Sequence, residues 1–159
     1  MEHLEIERKF LVTSDAYKAE ATVQNRMVQG FLNTHPERTV RVRISGEKGY
    51  LTIKGASNDS GTSRFEWEHG IPHAEAVNLI DLCEGHILEK VRHKVPQGNH
   101  IFEVDEFMGE NKGLVLAEIE LEHEDEHFEK PPWLGKEVTG ETKYYNSQLA
   151  IKPYNQWKD

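Results

Sequence analysis

Along most of the chain, apolar side chains fall on every second position. Leu4, Ile6, Phe10 and Val12 alternate with Glu5, Glu7, Lys9 and Leu11. Val40, Val42 and Ile44 alternate with Arg41 and Arg43, and Leu51 and Ile53 with Thr52 and Lys54, up to Gly55. The rhythm returns at Phe65 and Trp67, around residues 87–95, at Phe102 and Val104, and at Ala117, Ile119 and Leu121. A period of two marks strands with two unlike faces, and a further strand is expected near Met27–Leu32. Pro72 to Glu84 breaks the rhythm and reads as a helix, opened by Pro72 and stopped by Gly85, with Val77, Ile80, Leu82 and Cys83 as its apolar side. Shorter helices are expected near Ser14–Gln24, after Glu124 and after Asn146, and Gly61, Gly98 and Gly109 fall where turns are needed. The pattern gives about eight strands, joined by short loops and therefore mostly antiparallel, with a few peripheral helices. No repeat, low-complexity tract or Pro/Gly/Ser-rich linker divides the chain, so residues 1–159 read as one domain of mainly β, α+β class.

The 159 residues carry 19 Lys+Arg against 28 Asp+Glu, a formal charge of −9, with 30% charged and 36% hydrophobic residues. That balance argues against duplex nucleic acid or an anionic membrane as partner, and no apolar run reaches the roughly 20 residues of a membrane span. Met1-Glu2-His3-Leu4-Glu5 has neither the basic start nor the apolar run of a secretory leader. The single Cys83 excludes an intrachain disulfide and a multi-cysteine zinc site, and points to a reducing cytoplasm.

The charges are sorted by strand. Strand alternation turns Glu5, Glu7 and Lys9 to one face, and likewise Arg41 with Arg43, Lys90 with Arg92, Glu66 with Glu68, Glu103 with Asp105, and Glu118 with Glu120 and Glu122. A solvated sheet face would explain any one of these strands, with ordinary cross-strand pairs. It explains the whole set less well, because a solvated face intersperses signs. Closing the sheet into a barrel gathers acidic and basic walls around one cavity. Carboxylates hold a hard divalent cation such as Mg²⁺ or Mn²⁺, and Arg and Lys hold phosphate oxygens. A metal-chelated phosphate chain satisfies both walls.

Glu5-Ile6-Glu7-Arg8-Lys9 resembles the Glu-x-Glu-x-Lys signature of the CYTH superfamily, the triphosphate tunnel metalloenzymes. Gln29-Gly30-Phe31-Leu32, Arg41-Val42-Arg43, Thr52-Ile53-Lys54-Gly55 and Arg64-Phe65-Glu66-Trp67-Glu68 follow in family order. So do Glu89-Lys90-Val91-Arg92, Glu103-Val104-Asp105, Glu118-Ile119-Glu120, and Gly135-Lys136-Glu137-Val138-Thr139 leading to Tyr144-x-Asn146. The likeness covers essentially the whole chain and is nearest the short bacterial inorganic triphosphatases. It implies an eight-stranded antiparallel β-barrel enclosing a charged tunnel. It implies that Lys9, Arg41, Arg43, Lys54, Lys90 and Arg92 hold the triphosphate, joined by Lys143 from the C-terminal segment. Glu5, Glu7, Glu118 and Glu120 match the family's metal-binding carboxylates, with Asp105 and Glu66 or Glu68 as further ligands.

One metal would then neutralise phosphate oxygens and a second would activate a water for in-line attack on a terminal phosphorus, with cations stabilising the departing pyrophosphate. Lys90, Lys9 and Glu120 are the catalytic candidates, Lys90 for assisting the leaving oxygen. Metal-dependent hydrolysis of inorganic triphosphate is the leading function, with a homodimer left open as the assembly. The alternatives are a nucleoside or thiamine triphosphatase, a class IV-type adenylyl cyclase, or a non-catalytic polyphosphate or organophosphate-binding module. The remaining features read as structural: scattered His residues, an inert core thiol at Cys83, and a solvated acidic turn at His123–His127 rather than a helical metal site.

Overall fold

A computed structural model describes residues 3–157. Met1 and Glu2, used in the leader reading, and the last two residues of the 1–159 domain lie outside the described residues. The strands are β1 (Leu4–Val12), β2 (Val23–Asn33), β3 (Arg38–Ser45), β4 (Lys48–Ser57), β5 (Ser63–Ile71), β6 (Glu84–Gln97), β7 (His100–Phe107), β8 (Val115–Glu120) and β9 (Leu134–Glu137). The helices are short: α1 (Tyr17–Glu20), α2 (His73–Ile80) and α3 (Asn146–Leu149). All strand pairs are antiparallel, in the order β5-β4-β3-β2-β6-β7-β8-β1-β9. β5 also pairs with the start of β1, through Leu4↔Phe65 and Glu5↔Arg64. That pairing closes all strands but β9 into the expected barrel; β9 flanks the far end of β1 from outside. Tight hairpins set the β3–β4 and β6–β7 registers, with Gly46 and Gly98 at φ +61° and +60° in the first position of two-residue turns.

Closure decides where each face goes, and the apolar face is the outer one. Phe10, Val95, Phe102, Val104, Ala117 and Ile119 are buried beneath Tyr17 of α1 and beneath Phe128 and Trp133 of the 121–133 segment. Each of the larger side chains is worth about 1.5–3 kcal/mol of burial, so this outer layer holds together a barrel whose interior is charged. At one end the inward positions also turn apolar: Leu11, Phe31, Leu88, Phe107 and Leu116. Val138, Tyr144, Leu149 and Ala150 of the C-terminal segment pack into that end. The segment is tied there by His86 N–H to Ala150 O at 2.7 Å and Gln148 Nε2 to Thr34 O at 3.1 Å.

Two sequence expectations change. The helix after Pro72 ends at Ile80, because Glu84 already pairs with Phe31 in the β2–β6 ladder. Its fully buried residue is Ala76; of the expected apolar side Ile80 and Cys83 are half-buried, whereas Val77 and Leu82 are 42% and 71% exposed. Ala76 sits so close to β4 that a Cβ on Gly49 would lie 2.7 Å away. The stretch after Glu124 is irregular rather than helical, anchored by Phe128 and Trp133 instead of by backbone periodicity.

Candidate active site

Inside the barrel, strand alternation brings charged side chains around a cavity of about 200 Å³. Of the residues singled out from the sequence, Glu5, Glu7, Lys9, Arg41, Arg43, Lys54, Glu66, Glu68, Lys90, Arg92, Glu118 and Glu120 line it together. Lys143 does not join them. It is exposed, and its Nζ lies over the rings of Trp157 and Tyr144, 4.6 and 5.2 Å from their centroids. Asp105 points inward, as its strand position requires, but is sealed behind the wall at 2% exposure. Its oxygens accept the Arg92 fork at 2.8 and 2.9 Å and Lys90 Nζ at 2.9 Å. Burial opposes its charge, but Arg92 and Lys90 outweigh that and hold its pKa at about 2. A carboxylate so engaged is a counter-ion for two cations.

The cationic wall holds two kinds of group. Arg92 is neutralised, bonded to Asp105 and within 3.3 and 3.4 Å of Glu103 and Glu118. Arg41 and Arg43 are not neutralised to the same degree. Arg41 Nη2 donates to Thr52 Oγ1 at 3.1 Å and Glu68 Oε2 at 3.3 Å, while its buried Nε has no acceptor among the described residues. Arg43 Nε donates to Gln29 Oε1 at 3.3 Å, and among the described residues the guanidinium forms no ion pair. Burial, then Arg41 and Arg92, pull Arg43 down to about 9. Burial likewise pulls Lys90 down to about 7, with Arg92 and Arg43 working against Asp105 and Glu118. Buried cations short of counter-charge are a standing demand for an anion.

The acidic wall is the mirror case. Glu7 faces Glu120 across the β1–β8 ladder, and neither forms an ion pair among the described residues. Burial, then Glu118 and Glu5, push Glu7 well above the usual carboxylate range. Glu120 is raised by burial, Glu5 and Glu103, and Glu5 by burial and Glu66 despite Lys54 at 3.0 Å. Glu118 is held low, since Lys9, Arg92 and Lys90 outweigh its burial. Adjacent carboxylates that repel one another fit a hard divalent cation. Among the described residues no three His, Cys, Asp or Glu side chains cluster tightly enough to hold one alone. That suits a small cation bound by one or two carboxylates together with phosphate oxygens.

Several lining residues carry no role in the sequence reading. Strand alternation already places Glu103 beside Asp105, and Arg64 sits two positions before Glu66 on the same face, but neither carries an assigned part. Tyr145 and Asn146 enter from the C-terminal segment, outside any strand. The Tyr145 ring faces Lys9 Nζ at 5.3 Å and Arg64 at 5.6 Å. Elsewhere, Cys83 is half-buried rather than in the core, its thiol pushed up to about 11 by burial and Glu84, away from the thiolate form. His123 and His127 share no helix, and the intervening Glu126 pairs with His100.

Comparison with known proteins agrees with this geometry. The model of the CYTH domain matches residues 3–150. An inorganic triphosphatase of Acetivibrio thermocellus is 48% identical over 157 residues, covering 98% of this chain and 98% of that protein. An inorganic triphosphatase of Nitrosomonas europaea is 38% identical over 152 residues, covering 92% and 97%. The crystal structure of the inorganic triphosphatase NE1496 superposes with a TM-score of 0.66 at 33% identity, covering 92% of this chain and 97% of that one.

Proposed function

The chain belongs to the CYTH domain family, and from that premise we propose that it hydrolyses inorganic triphosphate to pyrophosphate and phosphate inside its barrel, with a divalent cation. The observation that carries this reading is one cavity lined by under-neutralised cations, Arg41, Arg43 and Lys90, and by mutually repelling carboxylates, Glu5, Glu7 and Glu120. A metal-chelated triphosphate removes both penalties at once. Mg²⁺ or Mn²⁺ is the cation we assign, because the donors on offer are carboxylate oxygens.

Each residue's part follows from its position. Arg41 and Arg43 grip phosphate oxygens as planar forks, with Lys54 and Lys9 as point charges beside them. One or two of Glu5, Glu7 and Glu120 would donate oxygen to the cation, which phosphate oxygens complete, with Glu66, Glu68 and Glu118 lining the cavity beside them. Once bound, the cation would neutralise phosphate charge and lower the pKa of a water. Lys90 stabilises charge on the departing pyrophosphate, while Arg92, neutralised by Asp105, lines the same wall and fixes that carboxylate in place. The lining residues given these parts all lie on this chain, so none is called on from a second copy, and a homodimer is an assembly the proposed function allows. No helix among the described residues is long and apolar enough to cross a membrane. The cytoplasm is our reading of the compartment, since the lone thiol suits reducing conditions.

The test is phosphate release from tripolyphosphate, ATP and thiamine triphosphate, each with Mg²⁺, Mn²⁺ or EDTA. The expected result is EDTA-sensitive cleavage with tripolyphosphate preferred. Preference for ATP or thiamine triphosphate would replace the substrate, cyclic AMP would indicate a cyclase, and binding without turnover would leave a binding module.

A further inference from the structure

We propose that Asn146 serves the reaction twice: its Oδ1 positions Lys90, and its Nδ2 donates to a phosphate oxygen of the bound substrate. This rests on the triphosphate reading above. Asn146 opens α3 and lines the cavity. Its Oδ1 accepts two hydrogen bonds, from Lys90 Nζ at 2.8 Å and from Gln29 Nε2 at 2.8 Å. Two donors converging on one amide atom fix that atom as the oxygen. The amide's other end, Nδ2, has no acceptor among the described residues, and two N–H groups remain on a side chain that borders the cavity.

The same bonds account for Lys90. Its ammonium has three protons, one directed to Asp105 Oδ2 at 2.9 Å and one to Asn146 Oδ1. One is left for a ligand in the cavity that Lys90 lines. A four-carbon stem is flexible, and two fixed acceptors hold its tip in place. Gln29, fully buried and away from the cavity lining, braces the arrangement: its Nε2 holds Asn146 while its Oε1 accepts from Arg43 Nε at 3.3 Å. The C-terminal segment thereby joins Arg43 of β3, Gln29 of β2 and Lys90 of β6 into one hydrogen-bonded chain.

Steady-state kinetics on tripolyphosphate for wild type, N146A, N146D and Q29M test this, with folding checked by thermal transition and tripolyphosphate affinity measured calorimetrically in EDTA. N146A frees Lys90, and kcat should fall about 100-fold, the cost typical of a misplaced reacting group. N146D keeps an acceptor for Lys90 but sets a negative oxygen where the N–H donors stood. Its kcat should recover to within about tenfold of wild type while KM and the metal-free Kd rise about tenfold or more. Q29M touches no substrate but loosens both Asn146 and Arg43, so kcat should drop about tenfold and any rise in KM should stay below that of N146D. N146A kinetics within about threefold of an active wild type overturn the role, as does N146D that loses kcat as fully as N146A at unchanged KM. Should N146A fail to fold, an unchanged kcat in Q29M overturns it. A wild type that turns over no tripolyphosphate overturns the reading beneath it as well, which separates the two failures.

Discussion

Arg43 and Arg92 are the same side chain in the same cavity, held in opposite ways. Arg92 is bonded to Asp105 through two nitrogens, and its pKa is raised well above the ordinary value, because Asp105, Glu103 and Glu118 outweigh burial. Arg43 has an amide oxygen for a partner and is pulled down to about 9 by burial and by Arg41 and Arg92. One arginine is neutralised by the fold; the other keeps its charge for a ligand. Opposite responses to the same substitution follow. Arg43→Met should stabilise the ligand-free chain by about 2 kcal/mol, since a buried charge short of counter-ions gives way to an apolar group of similar size. That corresponds to a Tm about 5 °C higher, together with a loss of more than about 100-fold in kcat/KM on tripolyphosphate. Arg92→Met strands the buried Asp105 on Lys90 alone and should cost about 3 kcal/mol. Thermal scans of both variants without metal or phosphate check the pair, and equal destabilisation would refute the distinction.

At the scale of elements, what could be read in advance was what alternates. Most strands of the barrel declare themselves because they have one apolar and one charged face, and the sorting of charge by strand was enough to point inward; β2, whose inner positions are Met27, Gln29 and Phe31, carries no such mark. β9 is four residues long and its inner neighbour is the backbone of β1, so alternation has nothing to register. Asp105 shows the limit within a strand. Its position on the inner face was legible, but its partner depends on the cross-strand register Arg92↔Asp105, which one strand's pattern does not contain. The C-terminal segment shows the limit outside strands. Charge and family likeness favoured Lys143 there, yet the turn at Thr142–Tyr144 faces Lys143 to Trp157 and delivers Tyr145 and Asn146 to the cavity. The apolar side assigned to the helix after Pro72 holds in part: Ile80 and Cys83 are half-buried, Val77 and Leu82 are exposed, and the closest approach to β4 is made by the small Ala76 at Gly49.

For the molecule as a whole, a net charge of −9 conceals a cavity where cations and carboxylates each lack full compensation. The consequence is a stability curve set by its carboxylates below neutral pH. Glu7, Glu5 and Glu120 have folded pKa values above 4.5, so the folded chain binds their protons more tightly than the unfolded chain. Metal-free stability should therefore rise as pH falls from neutrality through that raised range. Asp105, at about 2, and Glu118 are shifted the other way, so stability should fall again below 4.5. Lys90, shifted from 10.5 to about 7, adds stability with rising pH only above that window. Between about pH 4 and neutrality the metal-free Tm should be highest in mildly acidic buffer, and added Mg²⁺ or Mn²⁺ should raise it at neutral pH; a metal-free Tm that climbs steadily from about pH 5 to neutrality would contradict this balance. The central claim, that this cavity grips a metal-chelated triphosphate and cleaves it, is met most directly by ³¹P NMR of tripolyphosphate with the purified chain, with and without a divalent cation. The account predicts metal-dependent loss of the tripolyphosphate signals, with pyrophosphate and phosphate appearing in equal amounts and nothing consumed in EDTA. Tripolyphosphate that binds and broadens yet persists with metal present would contradict it.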